Sequence, residues 1–331
     1  MRPDILAKVM SSQGYNPAII QLCISYLTDR TQCVIYKPTR VRSSERKCSV
    51  GVPQGTICGP TLWNIFIRSL ETNESILKYA DDLTIHTTIP KSAARTVKRG
   101  EKTTSGSTIN QAAEASQNWC SQHGMTLNTT KTKHMLITLR DKIQLDEPVL
   151  INREEIQRVQ QFKLLGVILD EHLNFHAHID SIIERSQIKH YALLLLKRYG
   201  VNAHGLRNYY ASIIRSLLTY ACAAWYPSAS KTDRDSLEGI QKRCLKTIYP
   251  HIEHYEDRLA AANLTSLQEH MTTLCVKYSQ TVANDPEHRL YDLVPSKQSS
   301  TNRHSSRLRD CLITKHRTES LKNTVFYKFC N

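Results

Sequence analysis

The chain has 331 residues, more than one core usually organises, so two cores joined by a connector are expected. Its 44 Lys and Arg outnumber 30 Asp and Glu, and the resulting charge of +14 suits a polyanionic partner, nucleic acid ahead of an anionic membrane. The longest apolar stretch, LLTYACAAWY from Leu217, is about half of the roughly 20 residues a spanning helix needs, and MRPDILAKVM lacks a signal-peptide core, so an intracellular protein without a membrane segment is expected.

Residues 5–27 carry apolar positions at helical spacing, interrupted by Gly14 and Pro17, and predict two helices with a turn between them. TQCVIYK (31–37) and ERKCSVGV (45–52) then predict the strands of a hairpin with PTRVRSS as its loop. After GVPQGTICGP (51–60), a helix is predicted to start behind the Gly-Pro stop, with Leu62, Ile65, Phe66 and Leu70 on its buried face. SILKYADDLTIHTT (75–88) reads as strand, tight turn and strand, a hairpin tipped by Asp81 and Asp82.

The basic, Gly/Ser/Thr-rich stretch 91–108 predicts a loop or frayed helix, 109–124 a helix stopped by Gly124, and KTKHMLITL (131–139) a return to strand. From residue 176 the pattern becomes helical: 178–200 ends at Gly200, 205–227 at Pro227 and 232–250 at Pro250. A last helix is predicted over 265–283, with Thr265 and Gln268 at capping-box spacing, followed beyond Pro286 by a polar, basic, poorly ordered tail.

Ten scattered cysteines form no C-x-x-C pair and read as reduced thiols. His172, His176 and His178, and further along His251 and His254, lack partners at a recognised ligand spacing and read as solvated helix-face residues rather than a metal site. Adjacent aspartates in a turn are common, since Asp bonds nearby backbone amides. At the tip of an apolar hairpin, however, two carboxylates repel, and a hard divalent cation would compensate them. Mg²⁺ binds through one or two carboxylates plus substrate phosphates, and a pair of such ions about 4 Å apart serves phosphoryl transfer.

YADD (79–82), preceded by GVPQGTICGPTLWNIFI (51–67) and followed by LNTTKTKHMLI (127–137) and FKLLGVILDEHLNFHAHI (162–179), resembles the reverse transcriptase of non-LTR, LINE-like retrotransposons, motif for motif and in family order. The resemblance implies that Asp81 is a catalytic metal ligand and Asp82 its acidic neighbour, with Tyr79 and Ala80 shaping the turn beside the primer end. It implies further that Gly51, Pro53, Gln54 and Gly55 form the turn opening a helix beneath nucleotide and template, where glycines allow close backbone approach and the Gln amide can donate and accept. Lys131 matches a lysine near the pyrophosphate leaving group, and Leu164, Leu165 and Gly166 match the centre of a hairpin that grips the primer. Arg185, Lys189, Lys197, Arg198, Arg207, Arg215, Lys242, Arg243 and Lys246 on the helices would track phosphates or simply face solvent.

The fold expected is α/β (α+β): a partial polymerase palm over 1–175, with an antiparallel sheet backed by helices, then an all-α thumb over 176–260, and a C-terminal helix with basic tail over 261–331. Partners implied are an RNA template, a DNA primer, deoxynucleoside triphosphates and Mg²⁺ in a two-metal site, with no membrane and no oligomer, in cytoplasm or nucleus. DILAKVM (4–10) matches a stretch that in the family follows the first catalytic aspartate. That ligand is therefore expected to be missing, Asp4 not replacing it, and the chain alone to be inactive. A catalytically dead nucleic-acid-binding remnant is the alternative. Loss of the upstream strand would leave a sheet edge and an apolar face uncovered, which predicts poor solubility.

Overall fold

A computed structural model describes residues 1–88, 105–138 and 148–294. They fall into two compact units, one comprising Met1–Leu136 with Asp141–Val159, the other Ile137–Arg140 with Gln160–Asn331.

The first unit opens with α1 (Pro3–Ser12) and α2 (Pro17–Leu27), each with proline in its first turn, where the missing N–H costs nothing. Asn16 caps α2 by accepting the Ala18 N–H at 2.9 Å, and Gly14 supplies the left-handed turn at φ +78°. The predicted hairpin forms as a nested one: β1 (Arg30–Gln32) pairs with β4 (Arg46–Cys48), while β2 (Ile35–Tyr36) pairs with β3 (Val41–Arg42) inside what reads as loop. Helix α3 (Cys58–Arg68) starts before Gly59-Pro60, not behind it, because a proline in the first helical turn lacks only an N–H that has no intrahelical acceptor there. The strands β5 (Ser75–Tyr79) and β6 (Asp82–His86) form the predicted acidic hairpin, and α4 (Ser105–Gln122) takes in 105–108 as well. The rest of 91–108 lies outside the described residues, as does Leu139. Leu6, Met10, Leu27, Leu62, Phe66, Leu70 and Trp119 build the core of this unit.

A strand over 131–138 does not form. Asn128 takes the Lys131 and Thr132 amides into a turn, which leaves one bridge, His134 to Arg158. Nor is there a continuous sheet among the described residues: the antiparallel strands make five separate two-stranded ladders. With two to five residues each, such strands offer a third strand only a short edge to pair with.

In the second unit β9 (Gln161–Leu164) and β10 (Val167–Asp170), numbered after the short pair β7 (Leu150–Ile151) and β8 (Glu154–Glu155), lead into α5 (His176–Arg198). The buried Asp170 carboxylate receives the amides of His172, Asn174 and Phe175 at 3.0, 3.2 and 2.8 Å and so fixes the helix entry. The single helix expected over 205–227 is broken. It runs as α6 (Ala203–Tyr209), a π-helical turn (Tyr210–Arg215), α7 (Ser216–Thr219) and α8 (Cys222–Trp225), with Ala221 left-handed at φ +49°. The buried Trp225 indole donates to the Tyr220 carbonyl at 2.9 Å and stabilises the break.

Helix α9 (Lys231–Ile248) follows, with a capping box of Ser230 and Asp233, then α10 (Tyr255–Ala262), which sequence reading missed, and α11 (Leu267–Asn284). The cap of α11 is Ser266, accepting the Glu269 amide at 3.2 Å, one residue beyond the expected Thr265. Glu238 takes the amides of Leu267 and Gln268, which shifts the start. Residues 286–290 form turns, Tyr291–Leu293 a short 3-10 helix, and the tail after Val294 lies outside the described residues. No helix among the described residues is long and apolar enough to cross a membrane.

His178 is not a solvated residue. It is 3 % exposed, accepts the Ile168 N–H on Nδ1 at 3.3 Å and stands edge-on to Trp225. Burial, with Arg185 and Lys163 nearby, lowers its pKa, and burial does the same for His190 and His270. The unfolded chain therefore takes up these protons first, so stability is full above about pH 6.5 and falls as pH drops through the lowered native values. Thermal melts from pH 7 to 5 are expected to show falling Tm, and His178→Phe to flatten that slope; an unchanged slope would remove His178 from the account.

Candidate active site

The β5–β6 ladder runs in register from Ser75 opposite His86 to Tyr79 opposite Asp82, which leaves Ala80 and Asp81 as a two-residue loop. Ala80 adopts φ +51° there. The strands are half-exposed, not buried: Leu77 and Tyr79 face solvent, and only the Ile76 and Lys78 side of β5 faces the protein. Asp81 and Asp82 are both exposed. Water screens their repulsion, so this pair is tolerated without a compensating cation.

Two ties fix the hairpin to α3. The Trp63 indole N–H donates to the Ala80 carbonyl at 2.5 Å, at the acidic tip itself. Lys78 Nζ donates to the Ile67 carbonyl at 3.0 Å and also to that of Leu70, capping the C-terminal end of the helix where carbonyls lack partners and a cation suits the dipole. Burial lowers the Lys78 pKa while Glu71 raises it. Sequence reading passed over both residues.

The same helix carries the Gly51–Gly55 turn at its entrance. Gly51 and Gly55 have φ of +89° and +79°, conformations a side chain would strain. Arg30 anchors the turn by donating to the Gly51 and Leu27 carbonyls at 2.8 and 3.0 Å. Thr56 Oγ1 donates to the Pro53 carbonyl at 2.9 Å, and a Cβ on Gly59 would come within 3.1 Å of that hydroxyl oxygen, so any side chain there would have to push the helix entry aside by a few tenths of an ångström. Gln54 is exposed. Thus α3 joins Gly51, Pro53, Gln54 and Gly55 to Tyr79, Ala80, Asp81 and Asp82. Lys131 stands exposed in the Asn128 turn, with no hydrogen bond or ion pair to either carboxylate among the described residues.

In the second unit, Leu164, Leu165 and Gly166 sit at the end of the β9–β10 hairpin, with Leu165 and Gly166 both left-handed at φ +47° and +90°. Tyr220 Oη donates to the Leu165 carbonyl at 2.9 Å, and its ring lies where a Cβ on Gly166 would come within 3.2 Å. Of the nine basic helix residues, Lys197, Arg207 and Arg215 donate to backbone carbonyls, and Lys242 lies 5.2 Å from the Tyr255 ring centroid. Arg185, Lys189, Arg198, Arg243 and Lys246 are exposed.

Among the described residues no group of three His, Cys, Asp or Glu can hold a metal ion. His176 instead meets Asp233 at 2.9 Å, and His172 Nδ1 meets the Thr138 carbonyl. Cys23, Cys33, Cys48, Cys58, Cys120, Cys222 and Cys244 are free thiols.

Over residues 2–169, half of the chain, the sequence matches the family model for reverse transcriptase (RNA-dependent DNA polymerase). The chain belongs to this family. The chain is 25 % identical over 248 residues to the RNA-directed DNA polymerase from mobile element jockey of Drosophila melanogaster, covering 74 % of this chain and 26 % of the relative. The jockey polymerase of Drosophila funebris is 27 % identical over the same shares. A probable RNA-directed DNA polymerase from transposon BS of Drosophila melanogaster is 24 % identical over 279 residues, 77 % of this chain and 28 % of the relative. These relatives bear out the LINE-like, non-LTR resemblance, and the chain spans about a quarter of their length. No solved structure matches it.

Proposed function

We propose that the chain is the palm-and-thumb part of the RNA-directed DNA polymerase of a LINE-like retrotransposon, with palm over 1–175, thumb over 176–260 and a C-terminal helix and basic tail over 261–331. The observation that supports this most is the pair of solvent-facing carboxylates at a hairpin tip tied by Trp63 to the helix that the Gly51–Gly55 turn opens. Two adjacent carboxylates open to water fit Mg²⁺, which takes one or two such ligands and fills its shell with waters and substrate phosphates. Asp81 and Asp82 would hold such an ion, and the chemistry it would supply is positive charge for phosphoryl transfer.

The residues of this chain do the positioning. Asp81 and Asp82 hold the ions. Gly51 and Gly55, which lack Cβ atoms, let nucleotide and template approach, and the Gln54 amide reads hydrogen bonds there. Lys131 brings a cation toward pyrophosphate, and Leu164, Leu165 and Gly166 seat the primer strand in a turn that Tyr220 holds. Exposed Arg185, Lys189, Arg198, Arg243 and Lys246 meet phosphates without regard to sequence.

We propose that a further aspartate completes the two-metal site beside Asp81 and Asp82, and that this pair alone does not support polymerisation. The second reading, a nucleic-acid-binding remnant, draws on the same two-acid site. Primer extension on an RNA template with Mg²⁺ or Mn²⁺ separates them, using this chain and one lengthened upstream through the expected aspartate motif. Extension by the longer chain only is the expected result. Extension by this chain alone would overturn the incomplete site, and none by either would leave the remnant.

A further inference from the structure

Between α2 and the Gly51 turn, no residue from Thr31 to Val50 is buried. The strands there make a ribbon two strands wide, and the Ser43 and Val34 backbone and hydroxyl groups lace its two ladders together at 2.9 Å. Ribbons of two strands are marginal in water unless something covers a face. This one leaves Val34, Tyr36 and Val41 exposed by 74, 63 and 64 %.

Cross-strand partners share a face, so the register puts Tyr36 beside Val41 on one side and Ile35 beside Arg42 on the other. Around them Lys37, Arg40, Arg42, Arg46 and Lys47 are all exposed, against the single acid Glu45. Strand alternation also puts Val34 on the Tyr36 and Val41 side, so cations border a small apolar patch there and Ile35 on the other side, and neither is the broad apolar face of an amphipathic helix that a membrane surface selects. A narrow basic ribbon with an exposed tyrosine suits phosphates flanking a stacked base or a groove wall.

We propose that this ribbon binds the phosphate backbone of a nucleic acid at a surface separate from the carboxylate hairpin, with Lys37, Arg40, Arg42, Arg46 and Lys47 on phosphates and Tyr36 against a base or sugar. The binding does not require Asp81 and Asp82 to be catalytic. A ribbon rooted beside the Gly51 turn through Arg30 would hold a strand close to the candidate active site without entering it.

The test is fluorescence anisotropy of the full chain with labelled single-stranded RNA and with duplex DNA of equal length, over about 50 to 200 mM salt. Changing the five cations to Gln is expected to weaken binding at least about tenfold. With all five on phosphates, the slope of log affinity against log salt should flatten by about 3.5 on RNA. Tm should stay put, since none of the five is buried. Tyr36→Ala, which leaves every charge in place, is expected to weaken RNA binding about fivefold with no change of slope. The probe that loses more affinity identifies the preferred strand form. Unchanged affinity and slope on both probes would overturn the proposal. So would loss of binding to anionic lipid vesicles with nucleic-acid binding intact, which would make the ribbon a membrane contact.

Discussion

Asp81→Asn is expected to lower primer extension by at least about 10³-fold in any form of the polymerase that extends primer, with Tm moving by less than about 1 °C. Asparagine keeps the shape and removes the charge, and about 10³ in rate is about 4 kcal/mol of lost transition-state stabilisation. No stability loss accompanies it, because the Asp81 side chain is exposed and makes no hydrogen bond among the described residues. The loop is held by backbone, through the Ala80 carbonyl on Trp63. Asp82 is the contrasting position: it closes the ladder opposite Tyr79, so Asp82→Asn tests charge inside a paired residue. Single-turnover extension with both variants, beside their melting curves, makes the measurement. Full activity of Asp81→Asn would end the reading of this tip as a metal site.

Glu238→Ala is expected to cost the helical unit about 3–5 kcal/mol, a Tm drop of about 10 °C or more. Its carboxylate is buried at 7 % exposure and accepts the Leu267 and Gln268 amides at 3.1 and 2.9 Å, the first turn of α11. It also accepts the Tyr255 hydroxyl, whose pKa burial and this carboxylate push up, so the phenol stays the donor. Gln241, fully buried, extends the network to the Thr265 carbonyl at 3.0 Å and accepts the Tyr210 hydroxyl at 2.5 Å. Truncation strands three donors away from water, each costing about 1–3 kcal/mol. Glu238→Gln keeps the volume and one acceptor oxygen, and should lose less than half as much. Equal Tm values for Ala and Gln would show that packing, not the carboxylate, matters.

The opening helix pair, the YADD hairpin and the long helices were legible in the sequence because each is specified locally, by Pro17 and Asn16, by a two-residue turn, and by apolar spacing. What escaped was set by distant groups. The break at Tyr220–Ala221 carries no glycine or proline, and rests on Trp225 and on a turn 55 residues upstream. The start of α11 moved because Glu238, about 30 residues earlier, takes its first amides. In the candidate site the acids and glycines announced themselves by motif, whereas Trp63 and Lys78 look like ordinary helix and strand residues until the hairpin folds onto α3. Cations on the helices divided in the same way, since only folding shows which reach a carbonyl.

Both hairpin tips assigned to substrate carry a side chain in the left-handed region, Ala80 at φ +51° and Leu165 at φ +47°. Each conformation costs of order 1 kcal/mol that glycine would avoid. Glycine would also widen the unfolded ensemble, so exchanging it in would change folding free energy by less than about 1 kcal/mol. The difference falls instead on thermal spread. A Cβ closes off most of the torsional range a glycine tip would sample, so Asp81 and the Leu165 carbonyl are confined to a narrower range of positions.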